Sequence, residues 1–166
     1  PAGTSLDWVP CPVGKYGSRT TLQSEDECSS CPPGMYCDSE GLTEPAGNCS
    51  AGFYCPGGAM NAWGQTVYTG NHSCPVGSYC PEGSTLPVAC PPGKYNPNQK
   101  MQSVEQCVDC TSGYFCDRFN LSAPIGKCNE GYYCVLGSST AGPMITYTDG
   151  ISGNVVRGCR CPAGSF

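Results

Sequence analysis

Apolar residues fall along the chain in short groups separated by glycine, proline and small polar residues. No group approaches the run of about 18 that a membrane-crossing helix needs. Gly and Pro supply 23 and 16 of the 166 residues and are spread throughout, so nearly every window of helical length is interrupted. What recurs is a sulfur and a ring. The pattern Cys-x-x-Gly-x-aromatic stands at residues 11–16, 31–36, 49–54, 74–79, 90–95, 110–115, 128–133 and 161–166, and takes up eight of the 14 Tyr and Phe residues. In Cys31-Pro32-Pro33-Gly34 the second proline presets φ at the first corner of a turn, and the glycine takes the positive φ of the second. Each copy therefore predicts a tight turn, with its ring beside the following sulfur and placed to cover a disulfide. The two longest Cys-free segments, from Cys55 to Cys74 and from Cys134 to Cys159, hold β-prone runs, Gln65-Thr66-Val67-Tyr68 and Met144-Ile145-Thr146-Tyr147. Each predicts a short strand whose edge either pairs within its own repeat or stays open to another chain.

A shift of 79 residues lays Cys11, Cys28, Cys31, Cys37, Cys49 and Cys55 on Cys90, Cys107, Cys110, Cys116, Cys128 and Cys134 without a gap. Pro12, Gly14, Lys15 and Tyr16 recur as Pro91, Gly93, Lys94 and Tyr95, and Tyr68-Thr69 recurs as Tyr147-Thr148. The chain is thus two copies of one unit. Residues 1–10 read as the tail of a preceding repeat, 11–89 as the first cysteine-rich repeat and 90–166 as the second, truncated at its end. Pro1-Ala2-Gly3-Thr4 matches Pro81-Glu82-Gly83-Ser84 without the cysteine before it, and residues 161–166 match 74–79 but stop short of the next cysteine. The expectation is an excerpt of a longer array, cut near a repeat boundary. In the register that matches 161–166 to 74–79, Cys159 has no counterpart in the first copy, and it stands near Cys161 as a candidate bridge to a neighbouring chain.

Composition turns this pattern into a fold class. Leu, Ile, Val and Phe together make 23 of 166 residues, below the roughly 20% at which a chain usually assembles an oily core. Sixteen cysteines stand in for it. The expected fold is small and disulfide-rich: an elongated tandem array of turns and short β-hairpins with no substantial helix, residing outside the cell or at its surface.

The net charge of −5 offers no basic stripe for nucleic acid, and nothing in this segment inserts into a membrane. Catalysis has little to draw on. The single histidine, His72, lies in a polar loop, and Glu25-Asp26-Glu27 lacks calcium-loop spacing, so both read as solvated surface. The Cys28/Cys31 and Cys107/Cys110 pairs have zinc-like spacing, but each lies among further cysteines at bridge-like spacing and reads as disulfide. The chain is therefore read as no enzyme, with no cofactor beyond covalent glycans. Three N-glycosylation sequons begin at Asn48, Asn71 and Asn120. Asn71 and Asn120 are expected to be used. Asn48 is weaker, because the middle residue of its sequon is Cys49, itself due for oxidation.

The runs Cys90-Pro-Pro-Gly-Lys-Tyr, Cys107-Val-Asp-Cys110 and Gly113-Tyr-Phe-Cys116, with their partners between Cys11 and Cys37, resemble the ephrin-receptor-like cysteine-rich repeats. Such repeats occur in receptor ectodomains and, as long arrays, in surface and flagellar-hair proteins of algae and other protists. The six-cysteine block from Cys11 to Cys55 is also similar to a tumour-necrosis-factor-receptor cysteine-rich domain. That similarity implies the pairs Cys11–Cys28, Cys31–Cys49 and Cys37–Cys55, repeated as Cys90–Cys107, Cys110–Cys128 and Cys116–Cys134. Cys74 then pairs with Cys80. A rival nesting, Cys74–Cys90 and Cys80–Cys107, stitches adjacent repeats together and stays open, as do Cys159 and Cys161.

The functional expectation is a structural subunit of an extracellular filament, hair or coat. Its partners are other copies of itself or neighbouring repeats, with Trp63, Tyr68 and Tyr147 as candidate assembly contacts. The alternative is the stalk or ligand-binding region of a cell-surface receptor or adhesin.

Overall fold

The computed structural model describes residues 9–18 and 22–142, together with the backbone of two strands further on, Thr146–Thr148 and Val155–Arg157. Each of the seven pattern copies in the described residues forms a turn, with the glycine at φ between +78° and +87°. In six of the seven the residue after the glycine donates its N–H to the carbonyl of the residue after the cysteine, Met35 to Pro32 at 3.1 Å for example. That is a type II turn, the geometry that a positive-φ glycine at the second corner requires and that proline at the first corner favours at Pro33 and Pro92.

Most turns run into a two-residue strand that pairs antiparallel with a later one. β1 (Lys15–Tyr16) pairs with β2 (Ser29–Ser30), and β3 (Met35–Tyr36) with β4 (Gly47–Asn48). β5 (Ser78–Tyr79) pairs with β6 (Val88–Ala89), and β7 (Lys94–Tyr95) with β8 (Val108–Asp109). β9 (Tyr114–Phe115) pairs with β10 (Gly126–Lys127), and β11 (Thr146–Thr148) with β12 (Val155–Arg157). The only helical pieces among the described residues are single 3₁₀ turns, Glu25–Glu27 and Val104–Gln106. The fold is small, disulfide-rich and largely irregular.

Seven disulfides join the cysteines from Cys11 to Cys134: Cys11–Cys28, Cys31–Cys37, Cys49–Cys55, Cys74–Cys80, Cys90–Cys107, Cys110–Cys116 and Cys128–Cys134. This corrects the implied pairs Cys31–Cys49, Cys37–Cys55, Cys110–Cys128 and Cys116–Cys134, and also the nesting Cys74–Cys90 and Cys80–Cys107. The physical reason is local. The turn folds the chain back, so a cysteine six residues after the first brings its Cα within 5.8–6.3 Å, and the two bridge across their own turn. Two turns lack that second cysteine, with Gly17 and Asn96 in its place, and only there does the first cysteine reach 17 residues onward, to Cys28 and Cys107. Cys159 and Cys161 lie outside the described residues.

The chain divides into two compact units, one of residues 1–75, 79–88 and 99–103, the other of 76–78, 89–98 and 104–166. Within the first, four main-chain hydrogen bonds of 2.8–2.9 Å join the turn at 31–37 to the turn at 11–17: Gly14 N–H to Cys37, Cys31 N–H to Gly14, Gly41 N–H to Cys11 and Gly17 N–H to Leu42. The same four recur between 31–37 and 49–55 through Gly34, Gly58 and Ala59, and between Cys49/Cys55 and Cys74/Cys80 through Gly52, Gly83 and Ser84. Lys100 N–H to Cys74 and Cys80 N–H to Met101 make the closing half of the next set, each at 2.8 Å. In the second unit Gly77 bonds Cys90 and Asn96, Gly93 bonds Cys110 and Cys116, and Gly113 bonds Cys128 and Cys134. Asn120, Leu121, Gly137 and Ser138 complete the last two sets. This clamp satisfies the main chain of the buried turns, work that an extended sheet does elsewhere.

Gly34 shows why glycine is required at the clamp. Its φ is +81°, and a Cβ there would stand 2.5 Å from the carbonyl oxygen of Gly83. The equivalent approaches are Gly14 to Gly58, Gly52 to Lys100, Gly77 to Asn120 and Gly93 to Gly137, at 2.6–2.9 Å.

The core is made of sulfur. Among the described residues the buried apolar side chains are twelve cysteines plus Leu22 and Ala59. Tyr36 packs against the cluster of Cys49, Cys55 and Ala59, which holds the bridge of the following turn, and it lies over Gly47 on the paired strand. Phe115 lies in the same way over Gly126.

Candidate interaction surface

The Cys-free segment between Cys55 and Cys74 is where the first unit departs most from its repeating turns. Gln65-Thr66-Val67-Tyr68 is not a strand, which corrects the expectation, and side-chain acceptors explain it. Asn61 Oδ1 accepts from Trp63 N–H at 3.0 Å and Gln65 N–H at 3.2 Å, while Thr66 Oγ1 accepts from Tyr68 N–H at 3.3 Å and Thr69 N–H at 3.2 Å. Those N–H groups are the ones a ladder needs, and short polar side chains compete for them. Thr66 N–H then closes the loop on Thr69 carbonyl at 3.1 Å. The counterpart behaves differently: Tyr147 lies in β11, its backbone opposite Val156 of β12, while Met144 and Ile145 lie outside the described residues.

The loop turns Val67 and Tyr68 to solvent, 71% and 93% exposed, with Trp63 half exposed. Behind it lies a groove of about 970 Å³, walled by Pro12, Pro32, Pro33 and Pro56 and closed along one side by Val67, Tyr68, Thr69 and His72. Lys15 and Glu25, paired at 2.9 Å, also line it. His72 is held from several directions. Its N–H donates to Trp63 carbonyl at 2.9 Å, its carbonyl accepts from Tyr54 N–H at 3.0 Å, Nδ1 donates to Gly64 carbonyl, and its ring lies 5.0 Å from that of Tyr54. These contacts make His72 a fastening point for the loop. No metal-ligating cluster occurs among the described residues, and no described helix is long and apolar enough to cross a membrane.

The acidic run at Glu25-Asp26-Glu27 forms a 3₁₀ turn in which Glu25 pairs with Lys15 and Glu27 accepts from Gln23 N–H at 2.8 Å. In the second unit Lys94 pairs with Asp109 at 2.6 Å.

All three sequon asparagines are exposed, in different settings. Asn48 sits on β4, its Nδ2 bonded to Glu82 at 3.3 Å, directly before the buried Cys49. Asn120 takes φ +64°, donates its N–H to Cys90 and accepts from Ser78 Oγ on Oδ1 at 2.8 Å, so its amide nitrogen points away from that bond. Asn71 stands between open Gly70 and anchored His72.

Several organising residues escaped the sequence reading: Asn96, buried and bonded through Nδ2 to Ser78 carbonyl and through Oδ1 to Asn98 N–H, and the loop acceptors Asn61 and Thr66. The signal for Asn96 was available, because it and Gly17 are the two pattern copies without cysteine at the sixth position after the first. No protein-family model matches the chain, and no curated protein is similar to it.

Proposed function

We propose that this chain is a structural segment of an extracellular glycosylated filament, hair or coat, acting without catalysis or cofactor and partnered by further repeats or further copies of itself. The observation that carries the reading is the four-bond clamp. Each turn offers the next the same donors and acceptors that it receives from the one before, so repeats add without new chemistry. Disulfides closing short loops hold such an array where thiols oxidise, which favours the secretory route and the outside of the cell. The resemblance to ephrin-receptor-like repeats supports the same placement. Electron microscopy of the native material tests the proposal: ordered fibres or sheets with one axial repeat are expected. Isolated particles carried on a membrane protein would instead favour the receptor or adhesin ectodomain.

A further inference from the structure

We propose that Asn71 carries an N-linked glycan whose first sugars lie against Tyr68, so that the glycan is part of the folded loop and fills the mouth of the proline-walled groove. The inference rests on the glycoprotein reading above and goes beyond it in giving that sugar a seat.

Among the described residues Tyr68 is the large aromatic side chain that the protein itself covers least, at 93% exposure, and it lines a groove of about 970 Å³. An exposed ring on a mobile loop would carry little information. This loop is fixed at both ends, by Thr66 and Thr69 through their main-chain bond and a 2.8 Å hydroxyl pair, and by His72 between Trp63 and Tyr54. The asparagine of an intact sequon, Asn71-His72-Ser73, stands three residues after the ring, exposed, and separated from it only by Thr69 and the open Gly70. A pyranose presents a face of C–H bonds, and the negative face of an aromatic ring is complementary to it.

The other repeat supplies a contrast. Its Tyr147-Thr148 is followed by Gly150 at the place of Asn71, and there the segment joins the β11–β12 ladder. The repeat that bears the sequon is the one whose segment leaves the ladder.

The test uses the full chain secreted from a eukaryotic host, with Tyr68→Ala, Asn71→Gln and the double variant. Glycopeptide mass spectrometry reads occupancy at Asn71, and thermal unfolding reads stability. The expected result is an occupied Asn71, a Tm lowered by about 3 °C in each single variant and no lower in the double variant. The N-acetyl methyl resonance of the first sugar should also be shifted upfield by the ring in the parent and return to its free position in Tyr68→Ala. An occupied Asn71 with an unshifted methyl, or a Tyr68→Ala effect as large in the Asn71→Gln background as alone, overturns the seat and leaves the glycoprotein reading intact. An unoccupied Asn71 in secreted protein overturns the seat and the expected use of that sequon together.

Discussion

The clamp glycines set the limits on what single residues this fold accepts. Gly34 combines a positive φ with a Cβ position 2.5 Å from a main-chain oxygen, which cannot retreat without breaking the clamp around it. Gly34→Ala is expected to cost at least about 2 kcal/mol, the left-handed penalty plus the clash. Gly58 has a similar φ, +63°, but open space where a side chain would go. Lys100 and Asn120 occupy the same clamp position at φ +62° and +64°, so the chain already accepts side chains there. Gly58→Asn is therefore expected to stay within about 1 kcal/mol of the parent. Urea midpoints of the two variants decide the matter. Equal losses would mean that φ alone, and not the close approach, makes glycine necessary.

At the scale of the turn, the deciding position is the sixth after the first cysteine. Where it is cysteine the bridge is internal; where it is Asn96 the polar side chain takes the buried place, tying Ser78 carbonyl to Asn98 N–H. Asn96→Ala takes this bond from the carbonyl of buried Ser78 and is expected to cost about 2 kcal/mol, read as a shift of the denaturation midpoint. A stronger test rewires the bridge. In the double variant Asn96→Cys, Cys107→Ser, Cys90 is expected to pair with the new residue 96, as its counterparts at Cys31, Cys49, Cys74, Cys110 and Cys128 pair with theirs. Peptide mapping that found two free thiols would overturn the positional rule. The turns themselves were legible in the sequence, because each copy places a glycine at the corner that needs positive φ, preceded by proline at Pro33 and Pro92. The pairing implied by resemblance went astray since it weighed the six-cysteine block as a whole and not the seven-residue ring that a turn closes. The loop at 61–69 escaped because its β-prone residues are outweighed by two side-chain acceptors, Asn61 and Thr66, whose effect depends on where the chain ends of the loop are held. The groove was not legible at all, since its prolines come from three separate turns.

For the molecule as a whole, the consequence of a sulfur core is that folding order follows loop length. With Leu22 and Ala59 the only buried apolar side chains besides cysteine among the described residues, little apolar burial is available to draw distant parts together before the bridges form. Loop closure then sets the sequence of events. A bridge spanning 6 residues should close about fivefold faster than one spanning 17, from the three-halves power of the length ratio. Reduced chain returned to oxidising buffer, with thiols alkylated at intervals and mapped by mass spectrometry, is expected to show Cys31–Cys37, Cys49–Cys55, Cys74–Cys80, Cys110–Cys116 and Cys128–Cys134 ahead of Cys11–Cys28 and Cys90–Cys107. Before oxidation the chain should be expanded, with a radius of gyration on the order of 40 Å in solution scattering. Early capture of Cys11 by Cys28 would show that the clamp between neighbouring turns forms without its bridges, and that the main chain, not the sulfur, organises the array.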